Sequence, residues 1–219
     1  DALRIASSFG SQCQEDVLRA LDSDPCRVGS TAAALDVSVA EGIMVTVDGP
    51  AYRFSHDQIQ SAAYMLIPVS ERELFHLRIG RSLWRHMSPE EMDANLFIVV
   101  DQLHRGASRI SGHGAKVNLA RLSLLAAEKA AAMSAFLPSS SYLQAGIGLI
   151  QEKDWSCNRE LCFDLYNLSA EMEYTQGEFC KVEALSEEVI RRGSTLREKL
   201  RAYFMLVQCS GSKSNTMDS

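Results

Sequence analysis

The chain lacks every short motif that marks a self-sufficient enzyme. No G-x-x-x-x-G-K-[ST] phosphate loop occurs in its 219 residues. The nearest approach, Gly112-His113-Gly114-Ala115-Lys116, has neither the spacing nor a preceding strand, and reads as a loop. The G-x-S-x-G elbow, the H-E-x-x-H metal motif and the kinase H-R-D signature are also absent. Six cysteines are present, at 13, 26, 157, 162, 180 and 209, but none forms a C-x-x-C pair and none has zinc spacing with a histidine. They read as buried or half-buried thiols in a reducing compartment. No signal peptide and no apolar run of membrane length is visible, so a cytoplasmic location is expected. Basic residues are in deficit, 22 against 28 acidic, for a net charge of -6. That balance argues against a general nucleic-acid binder while leaving room for a local basic face. An initiator Met is missing too, and the chain opens inside an apolar helical pattern at Ala2-Leu3, as expected of a piece of a longer protein.

What is present is helix, with one interruption. Residues 2 to 21 carry apolar positions at Leu3, Ile5, Ala6, Phe9, Val17, Leu18 and Leu21, punctuated by Gly10 and Ser11, which predicts two short helices. A loop follows over Asp22–Arg27. Ser30 to Gly42 reads as a helix with Ala33, Ala34, Val37 and Val39 turned inward. Met44 to Val47 is short and β-branched, Asp48-Gly49-Pro50 is a turn cluster, and Tyr52-Arg53-Phe54 alternates like a returning strand. Asp57 to Ile67 then predicts a helix burying Ile59, Ala62, Ala63 and Leu66. Helices, a hairpin and one more helix are the parts of a winged-helix module.

The stretch Tyr52 to Pro68, YRFSHDQIQSAAYMLIP, places Ser55, His56 and Asp57 where a strand gives way to a helix. A helix N-terminus presents unpaired N–H groups and partial positive charge, which suits an anion such as a phosphate. A histidine there adds a donor aimed at the same place. The competing reading is structural, because Asp57 and Gln60 have the spacing of a capping box.

Further on, Glu71–Met87 is a helix with Phe75, Ile79, Leu83 and Met87 four apart, and with Leu77 and Trp84 on an adjoining face. Arg78, Arg81 and Arg85 form a basic strip on it, either a solvated face or a contact for an acidic partner or DNA. Ser88-Pro89-Glu90-Glu91 is a helix start with an N-cap, Pro at the first position and Glu at the third. Gly106 and the Gly112-His113-Gly114 cluster end the stretch that follows. His76, His86, His104 and His113 stand singly and read as structural or solvated.

From Ala115 only helices are expected. Val117–Met133 and Tyr142–Ile150 make one hairpin, Glu160–Gln176 and Cys180–Arg192 a second, and Thr195–Cys209 begins a further helix. Tyr166, Ala170, Gly177, Phe179 and Val189 fall close to tetratricopeptide positions, with Phe136, Leu137 and Ser140 in comparable places about 42 residues earlier. That period exceeds the usual repeat of about 34 residues, with the loop at Glu152–Arg159 absorbing the difference, so the array is tetratricopeptide-like. The tail SGSKSNTMDS is polar and expected to be disordered.

YRFSHDQIQSAAYMLIP, followed by ERELFHLRIGRSLW and LFIVVDQLHRG, closely resembles a block of the STAND-type, AAA-like ATPase modules of large multidomain sensor kinases. LRIASSFGSQCQEDVLRAL, LARLSLLAAEKAAAMSAF and AEMEYTQGEF extend the resemblance over nearly the whole chain in the family's order. The resemblance implies the winged-helix part of the ATPase followed by tetratricopeptide-like helices, C-terminal to the P-loop core. It also implies that His56 reaches the β-phosphate of bound ADP and that Asp57 caps and orients the helix, with Arg53 and Ser55 as further candidates for that wall. Pro138-Ser139-Ser140-Ser141 departs from the family's alanine-rich helix and predicts a hairpin that is loose or starts late.

The expected architecture is therefore mainly α. It has a winged-helix-like module with one short β-hairpin over 1–68, connecting helices over 69–114, repeats over 115–209 and a disordered tail over 210–219. The expected role is that of a fragment of an ATP-dependent signalling protein. The ATP/ADP site and any catalysis would lie mainly in the parent's P-loop core and kinase domains, with a possible protein partner on the repeats and no membrane or nucleic-acid partner. Two other classes stay open: a winged-helix transcription regulator and a free-standing helical-repeat scaffold.

Overall fold

The computed structural model describes residues 1–25, 29–47 and 50–217, with side chains to Gly211. The expected loop residues Cys26 and Arg27, the turn residues Asp48 and Gly49, and the tail side chains from Ser212 onward lie outside the described residues. Mainly α is correct: thirteen α-helices and one three-stranded sheet occur among the described residues. The chain divides into two compact units, Asp1–Ile110 and Ser111–Ser219.

The first unit runs α1 (Ala2–Ser8), β1 (Gln12–Gln14), α2 (Glu15–Asp22), α3 (Thr31–Ala40), β2 (Met44–Val47), β3 (Ala51–Phe54) and α4 (Asp57–Met65). It continues with α5 (Arg72–His86), α6 (Pro89–Ala94) and α7 (Leu96–Arg105). Strand β3 is central, antiparallel to β1 on one side and β2 on the other, with Arg53 opposite Gln12 and Val45. The hairpin expected from β2 and β3 is thus widened by β1. Cys13 of β1, Tyr52, Phe54 and Met44 turn one face of the sheet into the core with Leu18, Leu21 and Leu35.

Two short helices turn differently from their sequence patterns. In α3 the buried residues are Thr31, Leu35 and Ser38, whereas Ala33, Ala34 and Val37 are exposed. In α4 Ala63 is buried, and Ile67 just beyond the helix is too, but Ala62 and Leu66 face out. Alanine-rich helices of ten residues or fewer carry little amphipathic signal, so packing against larger neighbours decides which face turns inward. Ser30 caps α3 by accepting from the Ala33 N–H, and the Ser88–Glu91 box closes reciprocally at the start of α6. Helices α5 and α7 approach closely because Gly80 lies against Leu103, and Gly106 against Leu77 and the Glu73 carbonyl.

The second unit contains α8 (His113–Ala132), α9 (Phe136–Ile147), α10 (Asp154–Cys157), α11 (Arg159–Thr175), α12 (Phe179–Arg192) and α13 (Leu196–Met217). Helix α8 starts at His113, inside the glycine cluster expected to be loop, and α13 continues past Cys209 where order was expected to stop. Helix α9 neither starts late nor is loose. It begins at Phe136 with Pro138 in its first turn, where the missing N–H costs nothing. Ser139 Oγ donates to the Ala127 carbonyl, and Ser140 Oγ accepts from Gln176. Helices α8 and α9 pair, α11 and α12 pair, and α11 packs on α9 as α13 packs on α12. Trp155 of α10, edge-on to Phe163 and under Arg192, closes the gap between hairpins. Cys157 and Cys180 are exposed, unlike the other described cysteines.

Candidate functional site

The end of β3 and the start of α4 bring the four sequence-predicted site residues into one short stretch with three different fates. Ser55 is occupied structurally: its N–H and its hydroxyl both donate to the Ile43 carbonyl, at 3.1 and 2.8 Å. This pins the exit of the central strand to the entry of β2. Arg53 is exposed on the face of β3 away from Phe54. His56 is exposed and extended, with φ -145° and ψ 144°, and occupies the N-cap position of α4.

The cap itself departs from the sequence pattern. His56, not Asp57, is the N-cap, and it makes no side-chain cap hydrogen bond. Gln60 is not part of a capping box either, because its Nε2 donates to the Ser7 carbonyl at the end of α1. Asp57 is therefore a first-turn carboxylate that complements the helix dipole. The result is a nine-residue helix without a side-chain N-cap, with an exposed imidazole at the cap position and an exposed guanidinium three residues earlier on β3. Each of these groups can donate a hydrogen bond to an anion. They do not form a cradle around one, and Asp57 opposes an anion approaching from its side.

Behind this exposed end lies a buried polar relay that no sequence motif announced. The His76 side chain on α5, 2% exposed, sits between Tyr64 of α4 and Gln102 of α7. Gln102 Nε2 donates to the Ser8 carbonyl, so its Oε1 is free to accept from His76 Nδ1–H at 2.7 Å. His76 Nε2 must then accept the Tyr64 hydroxyl proton at 2.8 Å. With the neutral ring, every proton has one place. Burial holds the His76 pKa below its ordinary value; Gln102 opposes that shift, and the charges of Arg105 and Arg72 add to it. Arg72 also stacks over the Tyr64 ring at 4.8 Å. Gln102 and Arg105 satisfy the Ser8 carbonyl at the end of α1, and Gln60 adds a second donor to the Ser7 carbonyl, which also accepts from the Gly10 N–H. The available signal was a histidine on the same face as Ile79 and Leu83 in an apolar repeat; its partners come from other helices.

The arginine strip lines a cleft of about 740 Å³ between α1, α2 and α5. Arg78, Arg81 and Arg85 share that wall with Asp1, Asp24 and Glu71, so the surface is mixed in charge rather than basic. Elsewhere the chemistry is muted. Burial pushes the Cys13 thiol up to about 12, which leaves it protonated and inert. Among the described residues no group of three or more His, Cys, Asp or Glu could hold a metal ion, and no helix is long and apolar enough to cross a membrane.

Comparison with known proteins adds one relation. The chain is 26% identical over 165 residues to hybrid signal transduction histidine kinase G of Dictyostelium discoideum. The match covers 64% of this chain and 5% of that protein. The chain is thus a distant relative of one small portion of a signalling kinase. No family model and no solved structure matches it.

Proposed function

We propose that this chain is the state-reading segment of an ATP-dependent signalling protein, in which a winged helix senses bound nucleotide and the helical repeats bind a partner or relay the change. The observation that carries the reading is the uncapped start of α4 with His56 beside it, backed by the Tyr64–His76–Gln102 relay. An anion held at that N-terminus favours one position of α4. The relay joins α4 to α5 and α7, so displacement of α4 breaks or re-forms buried hydrogen bonds rather than dissipating in a loop.

The winged-helix reading is supported by element order and sheet order together: helix, strand, two helices and two strands, with β3 between β1 and β2. The signalling role is supported by the distant kinase relative. ATP binding and hydrolysis belong, in this reading, to a P-loop core of the parent protein. Within this chain His56 supplies a donor toward the β-phosphate of ADP, Arg53 lends charge to the same wall, and Ser55 and Asp57 hold the turn and the helix in place.

A DNA-reading role is disfavoured by α3, the helix a winged-helix regulator would lay in the groove. Its sequence TAAALDVSVA has no Lys or Arg and exposes Asp36, Ala33, Ala34 and Val37. Such a helix neutralises no phosphates. It suits contact with protein.

Hydrogen exchange on the parent protein, with and without ADP, tests the role directly. ADP should slow exchange of the backbone amides of Asp57 and Gln58, since the Ile59 N–H already donates to the His56 carbonyl. Unchanged exchange there, with protection elsewhere in the ATPase, would remove α4 from the nucleotide site.

A further inference from the structure

The three first helices of the repeat unit share a face that is covered in two of them and open in the third. Helix α8 turns Ala120, Leu124 and Ala127 into the core it forms with α9; Gly146 of α9 lies against Ser123, and Ser139 of α9 donates to the Ala127 carbonyl. Moving 43 positions on, from Ala120 to Phe163, gives Phe163, Asn167 and Ala170 of α11. These are buried, and Phe163 and Ala170 pack with Val189 and Val182 of α12. Moving a further 37 positions, from Phe163 to Leu200, gives Leu200, Phe204 and Val207 of α13. These are 61, 61 and 70% exposed, and Leu196 and Tyr203 beside them are 72 and 42% exposed.

The same shift of 37 is confirmed by the opposite side of the helix. It carries Leu161, Leu165, Leu168 and Met172, the residues of α11 packed toward the preceding hairpin, onto Glu198, Ala202, Met205 and Cys209 of α13. Ala202, Met205 and Cys209 are buried against α11 and α12, and Glu198 is held by Arg159. At 100° per residue the buried line and the exposed stripe lie on opposite sides of α13. A helix exposed to water on one side carries polar residues there, not five large apolar ones.

We infer that α13 stands where a first hairpin helix would, with the second place open, and that its outer face binds a single amphipathic helix of a partner protein running antiparallel to it. The chemistry of that partner follows from the helices that fill the same place. The inner side of α12 offers Val182, Ser186 and Val189, and that of α9 offers Ser139, Leu143 and Gly146, so a seam of mainly small and aliphatic residues at spacings of three and four fits this place. Arg197 and Lys199 border the stripe on α13, whereas Arg201 is held by Glu171 of α11, so acidic borders on the partner helix complement it. This deepens the partner-binding half of the proposed function, and its test uses no nucleotide, so either reading can fail alone.

The test is anisotropy of a fluorescent, side-chain-stapled 18-residue helix titrated with the full chain, the staple reducing the cost of ordering the peptide. One peptide carries an Ala/Val seam with Glu borders, a second the same seam with Lys borders, and a third is scrambled. The Glu-bordered peptide is expected to bind, the Lys-bordered one several-fold more weakly and the scrambled one not at all. The double variant Leu200→Asp/Phe204→Asp should weaken binding at least ~10-fold, while Leu125→Asp, at an exposed apolar site on α8, should leave it unchanged. Equal binding of scrambled and designed peptides, or no binding, overturns the inference. A concentration-dependent dimer abolished by the double variant overturns it too, since the stripe would then serve a second copy of the chain.

Discussion

Tyr64 of α4 donates its hydroxyl proton to Nε2 of His76 on α5 at 2.8 Å, and this bond fixes the direction of a buried relay that ends on Gln102 and the Ser8 carbonyl. Replacing Tyr64 with Phe removes the donor that the buried His76 Nε2 has here. The cost of an unsatisfied buried acceptor is about 1–3 kcal/mol. Chemical denaturation of Tyr64→Phe should show that loss in midpoint with an unchanged slope.

The same histidine sets an acid limit on stability. Its folded pKa lies below the ordinary value of 6.5, so the unfolded chain binds the proton more readily than the folded one. The stabilising contribution is whole above about pH 6.5 and is lost as pH falls from there through the folded pKa. His104 is shifted downward by burial as well, with Asp101 opposing, and contributes in the same direction. Thermal unfolding between pH 5 and 8 should therefore show a falling midpoint below about pH 6.5, and His76→Gln should flatten that slope without abolishing it.

Close approach of α5 and α7 depends on Gly106. A Cβ there would lie 2.6 Å from the Glu73 carbonyl oxygen and from Leu77 Cβ. The clash involves backbone, which cannot swing aside. Gly106→Ala should cost about 1–3 kcal/mol, as overpacking does, in contrast to Gly114→Ala, where a Cβ meets nothing within 4 Å. Comparing the two variants by denaturant midpoint separates packing from any general loss of chain flexibility.

How much could be read from the chain alone follows the strength of local signals. Helices α5 and α6 and the pair α11–α12 were legible because long apolar periodicity, the Ser88–Glu91 box and Gly177 each act locally. Strand β1 was not, since Gln12-Cys13-Gln14 is too short to show a period and exists only through pairing with β3. Pro138 misled about α9 because proline stops a helix only beyond its first turn. At the candidate site, the strand-to-helix junction at His56 was visible in sequence. Its missing cap and the occupied Ser55 hydroxyl depend on Ile43 and Ser7, which are distant in the chain.

The dissociation rate of ADP from the parent signalling protein, measured for the natural sequence and for His56→Ala, bears most directly on the sensor role of α4. His56 is exposed and makes no internal side-chain cap bond, so its removal leaves the fold intact. A hydrogen bond to a charged phosphate is worth about 1.5–3 kcal/mol. ADP should therefore leave roughly 10- to 100-fold faster from His56→Ala, with signalling output shifted toward the active state. An ADP dissociation rate equal to that of the natural sequence would contradict the sensor role of α4.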